Sequence, residues 1–343
     1  MIADTRAHLP RPSPAALAAL HDAGNAYAAP DPDSTRLRHA LAAHFAIPDT
    51  GDAGDINERA GGPDAAVRVG PGTAALLHAT IARKAPAGGD VICSAPSWPP
   101  YAQLTAAYGM RPRLVPLAGY AHDLAAITTA ITPHTRLILL DSPHCVTGTT
   151  VPLHEARALA RALPHGAAVV YDNVYGEYQD DDLTAAIRDT VTSGARILVC
   201  RTFSKAHQLF GLRVGYLLAH PHVMHAHGPT ILRYDVSRPA QAAALASLND
   251  PTHLERNRDL VRANRQQAGE LLTRAGIRHS PGQGHGILFA PTDPAAVTAR
   301  LRAAGATVRT PDEHGVHGHL HLRVDDLPPD NLLHALTAAL EST

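Results

Sequence analysis

The feature that most restricts the possible folds is a regular alternation between residues 67 and 200. Short apolar runs at 67–69, 90–94, 112–116, 136–140, 167–171 and 196–200 read as strands. Helical patterns fall between most of them, at 73–85, 98–108, 121–130 and 154–163. Strand–helix alternation with short connections specifies an α/β architecture, a mostly parallel central sheet covered by helices. Several runs end in polar segments: "DSPHCVTG", "YDNVYGEY" and "RTFSK". In such sheets ligands sit beyond the carboxyl ends of the strands, so these distant segments are expected to converge on one site.

The rhythm changes on either side. Upstream, "SPAALAAL" reads as a short helix over 13–24, with Ser13 as cap and Pro14 in the first turn. Ser34 is read as the cap of a second helix carrying Leu37, Leu41 and Phe45. Residues 47–66, rich in Gly, Asp and Pro, read as a loop. From about residue 252 a long charged helix is followed by strand-like "HGILFA", a helix over 294–304, strand-like 306–309 and "HLHLRV", and a last helix. The expected division is an N-terminal arm or part of a small domain over 1–45, a large ligand-binding domain over 46–250, and a smaller α+β C-terminal domain over 251–343.

Charge narrows the function classes. The net charge is −1, with basic and acidic residues interspersed. No basic stripe suits a nucleic acid, and no apolar run approaches the roughly 18–20 residues a membrane span needs. The first residues lack the layout of a signal peptide. Cys93, Cys145 and Cys200 are too sparse for a disulfide framework. The expectation is a cytoplasmic protein with neither nucleic-acid nor membrane partners. The 23 histidines accompany abundant Ala, Pro and Arg, as biased codon usage would produce.

One lysine stands out. Lys205 follows a strand-like run and precedes Arg213 in "TFSKAHQLFGLRVGY". Four features have chemistry complementary to it. Asp172, at the end of a buried-type strand, suits a protonated ring nitrogen, and Tyr175 a ring hydroxyl. "GPGTAALLHA" places a glycine turn before a helix, where exposed N–H groups and the helix dipole favour a phosphate. Arg213, with Thr202 and Ser204, adds phosphate donors. An imine-forming amine, a carboxylate for a pyridinium, a phenol and a phosphate cradle together describe pyridoxal phosphate.

These residues carry a family resemblance. "TFSKAHQLFGLRVGY" resembles the cofactor-lysine segment of fold type I pyridoxal-phosphate enzymes, nearest the class I/II aminotransferases of the histidinol-phosphate aminotransferase type. "PSPAALAAL" with "YAAPDPDSTRLRHALAAHF" is similar to that group's N-terminal segment, and "PSWPPY" to the aspartate aminotransferase branch. The resemblance implies that Lys205 forms the internal aldimine and shuttles the Cα proton. It further implies that Asp172 pairs with the pyridine nitrogen, Tyr175 bonds the ring 3′-oxygen, and Trp98 stacks on the ring. Gly72, Thr73, Thr202, Ser204 and Arg213 would surround the phosphate. Arg323 would grip the substrate α-carboxylate, with His321 nearby. Tyr27 is matched to a tyrosine reaching a partner subunit's phosphate, although Ala29 stands where the family's tyrosine would. A homodimer acting on an amino acid and a 2-oxo acid is implied as well.

One departure concerns the family's Asn-rich loop, which reads "SPHCVTG" here. Cys145 takes the place of an asparagine that donates to the ring 3′-oxygen, and a thiol is a poor donor. The change leaves room near the ring that His144 could fill. Two chemistries therefore stand at this point. The first is transfer of an amino group from an L-amino acid to a 2-oxo acid by a ping-pong mechanism. The alternative is a non-transaminase reaction (elimination, replacement, cyclisation, decarboxylation or oxidation) in specialised metabolism. For the alternating His319, His321 and Arg323, one face of a strand is preferred to a metal site, since no further ligands have clear spacing.

Overall fold

The computed structural model describes residues 10–24, 28–48, 63–230, 232–310, 316–325 and 329–340. Its larger sheet contains β1 (Val67–Gly70), β2 (Asp90–Ala95), β3 (Arg111–Pro116), β4 (Thr135–Asp141), β5 (Ala168–Asp172), β6 (Ile197–Thr202) and β7 (Gly215–Leu218). The strand order is β1-β7-β6-β5-β4-β2-β3. Strands β2 to β6 pair in parallel, whereas β7 runs antiparallel to both β6 and β1. The smaller sheet is antiparallel, in the order β10-β11-β9-β8. It consists of β8 (Arg278–His279), β9 (Gly286–Ala290), β10 (Val308–Arg309) and β11 (Leu320–Arg323).

The helices are α1 (Pro14–Asp22), α2 (Thr35–His44), α3 (Thr73–Lys84), α4 (Pro100–Ala107), α5 (Leu124–Thr129), α6 (Leu153–Ala162), α7 (Thr184–Thr192), α8 (Pro221–His227), α9 (Arg238–Leu248), α10 (Pro251–Arg274), α11 (Pro294–Ala303) and α12 (Pro329–Leu340). None of the described helices is long and apolar enough to cross a membrane.

The central strands are apolar throughout because both sheet faces are covered. Along β5, Val169 and Tyr171 enter one buried cluster and Ala168 and Val170 the other, as a two-residue side-chain period requires. Toward the carboxyl ends charged and polar residues replace the apolar ones, at Asp141, Asp172, Arg201 and Thr202. Leu37, Leu41 and Phe45 of the N-terminal segment join the core of the large sheet. Arg11 ties the same segment to α10, its N–H donating to Asn257 Oδ1 (3.2 Å) and its carbonyl accepting from Asn257 Nδ2 (2.8 Å). The small sheet has its own core, in which Leu320 and Leu322 of β11 meet Val261 and Leu272 of α10 and Leu336 of α12.

Two local details bear on the sequence reading. Ser13 caps α1 as expected, its Oγ accepting from the N–H of Ala16 (3.0 Å). Ser34 does not cap α2: it has left-handed backbone angles and no side-chain cap bond. Asp31 takes over, accepting from the N–H of Arg36 (3.1 Å) and from Thr35 Oγ1 (3.3 Å). A full negative charge at a helix start is a stronger partner than a hydroxyl.

Buried histidines give the fold a defined acid sensitivity. His207 is buried, with Nδ1 2.8 Å from Ser247 Oγ, and burial pushes its pKa down to about 4. His227 lies 2.8 Å from Lys84 Nζ and is likewise lowered to about 4, by burial and then by that lysine. The unfolded chain binds protons at these rings near pH 6.5 while the folded chain refuses them. Stability is therefore complete above about pH 6.5 and falls as the pH drops toward about 4. For His207 the loss between pH 7 and 4.5 is about 2 kcal/mol. Urea midpoints at those two pH values should record it, and His207→Gln should flatten the dependence. An equally steep dependence in the variant would rule out His207 as its source.

Candidate active site

The carboxyl ends of β4, β5 and β6 open toward a cavity of about 720 Å³ between the two sheets. From the large-sheet side it is lined by Trp98, Cys145, Tyr175, Ser204, Lys205 and Phe210. The small-sheet side contributes His285, Arg309, His321, Arg323 and Asp325. Strand alternation explains the second group: with Leu320 and Leu322 in the core, His321 and Arg323 point the other way. Gly286 pairs with Arg323 across the sheet. A Cβ on that glycine would come within 2.5 Å of the His321 ring, so the imidazole lies over the gap.

Lys205 follows β6 in a tight loop in which its carbonyl accepts from the N–H of Gln208 (2.8 Å). Its Nζ lies 5.0 Å from the centroid of the Tyr175 ring and 5.6 Å from that of Phe210. Burial lowers its pKa, opposed by the Asp325 and Asp172 carboxylates and assisted by Arg323 and Arg309. A lowered lysine is partly neutral and so nucleophilic.

Asp172 ends β5 and is almost fully buried. Its Oδ2 accepts from the Tyr101 hydroxyl (2.7 Å) and its Oδ1 from the N–H of Val174 (3.3 Å). Burial raises its pKa to about 7; neighbouring Asp141 adds to the rise, and the two hydrogen bonds and Lys205 oppose it. Such a carboxyl is held short of a cationic partner. The residue after it is clamped. Asn173 donates from Nδ2 to the Ser142 carbonyl (2.5 Å) and to Gln179 Oε1 (2.9 Å). It accepts at Oδ1 from Arg201 Nη1 (2.8 Å), and the same guanidinium donates to Glu177 Oε1 (2.7 Å) in a buried ion pair.

The glycine turn has the geometry of a cradle. Gly72 precedes α3 at φ +90° with no side-chain cap bond, and the first N–H groups of a helix have no intrahelical acceptors. A Cβ on Gly72 would come within 2.6 Å of Arg213 Nη2, so only glycine lets that guanidinium approach. Arg213 also donates to Ser204 Oγ (3.4 Å) and the Phe210 carbonyl (3.0 Å). Thr202 Oγ1 accepts from the N–H of Ser204 (3.0 Å). The turn at Gly72 thus lies beside Arg213, and Arg213 beside Ser204, which borders the cavity. Cradle, lysine and cation-seeking carboxyl have complementary chemistry for a phosphorylated pyridine aldehyde.

Other sequence candidates lie as follows. Trp98 lines the cavity and packs edge-on against Tyr101, with ring centroids 5.4 Å apart. Tyr175 is buried, its pKa raised by burial, and it stacks on His285 at 4.2 Å with an interplanar angle of 3°. Cys145 borders the cavity; its N–H donates to Asp141 Oδ2 (2.7 Å), and burial and Asp141 keep the thiol protonated. His144 does not line the cavity. Its Nε2 donates to the Pro96 carbonyl (2.9 Å) while its Nδ1 accepts from the N–H groups of Val146 (3.3 Å) and Thr147 (3.1 Å). Tyr27 lies outside the described residues.

The sequence reading missed Tyr101, His285 and Asp325. Tyr101 has the appearance of a core aromatic on an amphipathic helix, and His285 that of one histidine among many. Asp325 did carry a signal, since it stands two residues after Arg323. His122, Asp141 and His144 form a group close enough to share an ion. Every ring nitrogen in it already has a protein partner: His122 Nδ1 accepts from Ser94 Oγ (2.6 Å) and its Nε2 donates to the Asp141 carbonyl (2.8 Å). The group serves as a brace under the loop that carries Cys145.

Comparison with known proteins agrees with this geometry. Residues 4–338 match the family model described as aminotransferase class I and II. Histidinol-phosphate aminotransferase 2 of Ralstonia nicotianae is 32% identical over 317 residues, covering 91% of this chain and 80% of the relative. An aromatic amino acid aminotransferase of Mycobacteroides abscessus is 33% identical, covering 79% and 74%. The crystal structure of histidinol-phosphate aminotransferase from Sinorhizobium meliloti with pyridoxal-5′-phosphate superposes with a TM-score of 0.76 at 24% identity, covering 98% of this chain and 90% of that one.

Proposed function

The chain belongs to the class I and II aminotransferases, and we propose that it moves the amino group of an L-amino acid to a 2-oxo acid in two half-reactions at the cavity around Lys205. The observation that carries the reading is Lys205 itself: a half-buried amine of lowered pKa in the cavity that also holds Arg323.

Its cofactor is pyridoxal phosphate, which supplies an aldehyde that condenses with amines and a pyridinium ring that accepts the electron pair released at the substrate Cα. The residues present suit that group. Asp172 would face the ring nitrogen and keep it protonated, with the Tyr101 hydroxyl fixing the carboxylate from the opposite side. Trp98 offers a flat face to the ring. Tyr175 offers a phenol to the ring oxygen, a task that the Cys145 thiol performs poorly. Arg213, Ser204 and the first N–H groups of α3 would hold the phosphate.

Lys205 would have two tasks: as a neutral amine it would hold the cofactor, and it would take the proton from the substrate Cα and return it elsewhere. Arg323 would fix the donor's carboxylate by two parallel hydrogen bonds. Residues 46–250 would then form the cofactor-holding unit and 251–343 the unit that contributes Arg323, in a homodimer.

The donor we propose has a flat, ring-bearing side chain. Phe210, His285 and His321 line the cavity beyond Lys205, and the relatives named above act on histidinol phosphate or aromatic amino acids. Nothing among those relatives favours the elimination-type chemistry that the "SPHCVTG" loop left open. The test is a half-reaction. Cofactor-loaded protein, mixed with phenylalanine, tyrosine, histidinol phosphate and aspartate in turn, should convert its cofactor to pyridoxamine phosphate fastest with a ring-bearing donor. Conversion with aspartate alone would replace the ring preference by a dicarboxylate one. No conversion with any donor, together with release of ammonia or carbon dioxide, would overturn the transfer reaction.

A further inference from the structure

The Arg323 fork is already engaged within the chain. Its Nε donates to Oδ1 of Asp325 (2.8 Å) and its Nη2 to Oδ2 (2.9 Å). This is the parallel two-point contact that an external carboxylate would make. The Asp325 side chain is 6% exposed and that of Arg323 33%, and both line the Lys205 cavity. Among the described residues lining it, Asp325 is the only carboxylate, facing Lys205, Arg309 and Arg323. The pairing has a simple origin: Arg323 ends β11 and Asp325 follows two residues later in a bend, where their side chains meet.

We propose that Asp325 is an internal competitor for the substrate carboxylate: it holds the Arg323 fork in the empty site, and binding requires the substrate to displace it. The proposal rests on the reading of Arg323 given above and adds a determinant of selectivity to it. Replacing one carboxylate by another at the same fork gains little. What remains is the cost of leaving an enclosed Asp325 carboxylate without its partner. A small carboxylate brings nothing to offset that cost. An amino acid does, through the amine that reacts at Lys205 and the side chain that packs near Phe210 and His285. The displaced carboxylate meanwhile remains in a cavity that contains Lys205 and Arg309. Asp325 thus raises the threshold for simple carboxylates and favours ligands that fill the whole site.

The test uses 3-phenylpropanoate, a carboxylate with a ring and no amine, titrated calorimetrically into the cofactor-loaded protein. Asp325→Asn should bind it at least tenfold more tightly than the unaltered protein, and Asp325→Ser should behave alike, so the result does not depend on one variant folding. Arg323→Ala should bind it more weakly than either. Equal or weaker binding in both Asp325 variants, with binding lost in Arg323→Ala, would make Asp325 a brace for the guanidinium and overturn the competitor. Unchanged binding in Arg323→Ala would remove the arginine from carboxylate recognition altogether, a different failure that takes the competitor with it.

Discussion

Replacing Lys205 with alanine should lower the amino-transfer rate by on the order of 10⁴-fold or more, because in the proposed function one residue would supply both the covalent anchor and the proton carrier, and groups that act as a unit fail together. The surrounding structure is built for an amine. Tyr175 and Phe210 lie 5.0 and 5.6 Å from Nζ, and burial lowers the pKa, which raises the neutral fraction near pH 7. The backbone there is held by bonds an alanine keeps, such as the Lys205 carbonyl to the Gln208 N–H (2.8 Å), so the melting temperature should change little. Borohydride treatment followed by peptide mass spectrometry should place a pyridoxyl tag on Lys205 in the parent and none at that position in the variant. Added methylamine should restore part of the proton transfer. A variant within tenfold of the parent rate would remove Lys205 from the chemistry.

The second large effect belongs to Asp172→Asn, for which a loss of about 10²–10³-fold in kcat is expected from removal of a buried charge aimed at the reacting system. Asparagine keeps the shape and can still accept from Tyr101. It cannot hold a ring nitrogen in its cationic form. With a carboxyl raised to about 7 by burial, a cation beside it favours ionisation, and the ionised acid favours the cation in return. The tag on Lys205 should persist in this variant, which separates loss of ring charge from loss of anchoring. Tyr101→Phe, which removes only an orienting bond, should cost far less. A near-normal kcat in Asp172→Asn would show that the ring nitrogen has no need of the acid.

Much of the site was legible because its residues sit where the sequence changes character. Asp172 and Lys205 each follow a run of apolar residues, and in an alternating α/β chain that is where ligands are met. Arg323 was read from the family resemblance, and strand alternation put it on one face with His319 and His321. Helices α7, α8 and α9 and strand β7 were not singled out, and the antiparallel direction of β7 depends on a pairing that no local pattern encodes. The capping role of Asp31 went unseen because Ser34 stands next to the helix, and a charge three residues earlier reaches the same N–H groups. His144 had been given space beside the ring; its ring nitrogens instead brace the loop from behind. Tyr101 and His285 act by packing against Asp172 and Tyr175 across long sequence separations, and only the tertiary arrangement brings those partners together.

The two walls of the cavity come from different sheets, and this has a consequence for how such a protein can change. Lys205 and Ser204 follow β6 and Asp172 ends β5, with the Arg201–Glu177 pair and Asn173 locking the connecting segments. His285, Arg309, His321, Arg323 and Asp325 all belong to or adjoin β9, β10 and β11. Laboratory diversification confined to those three strands should therefore yield new donor ranges while the bond-breaking apparatus stays intact, whereas libraries placed around Arg201 should return mostly inactive clones.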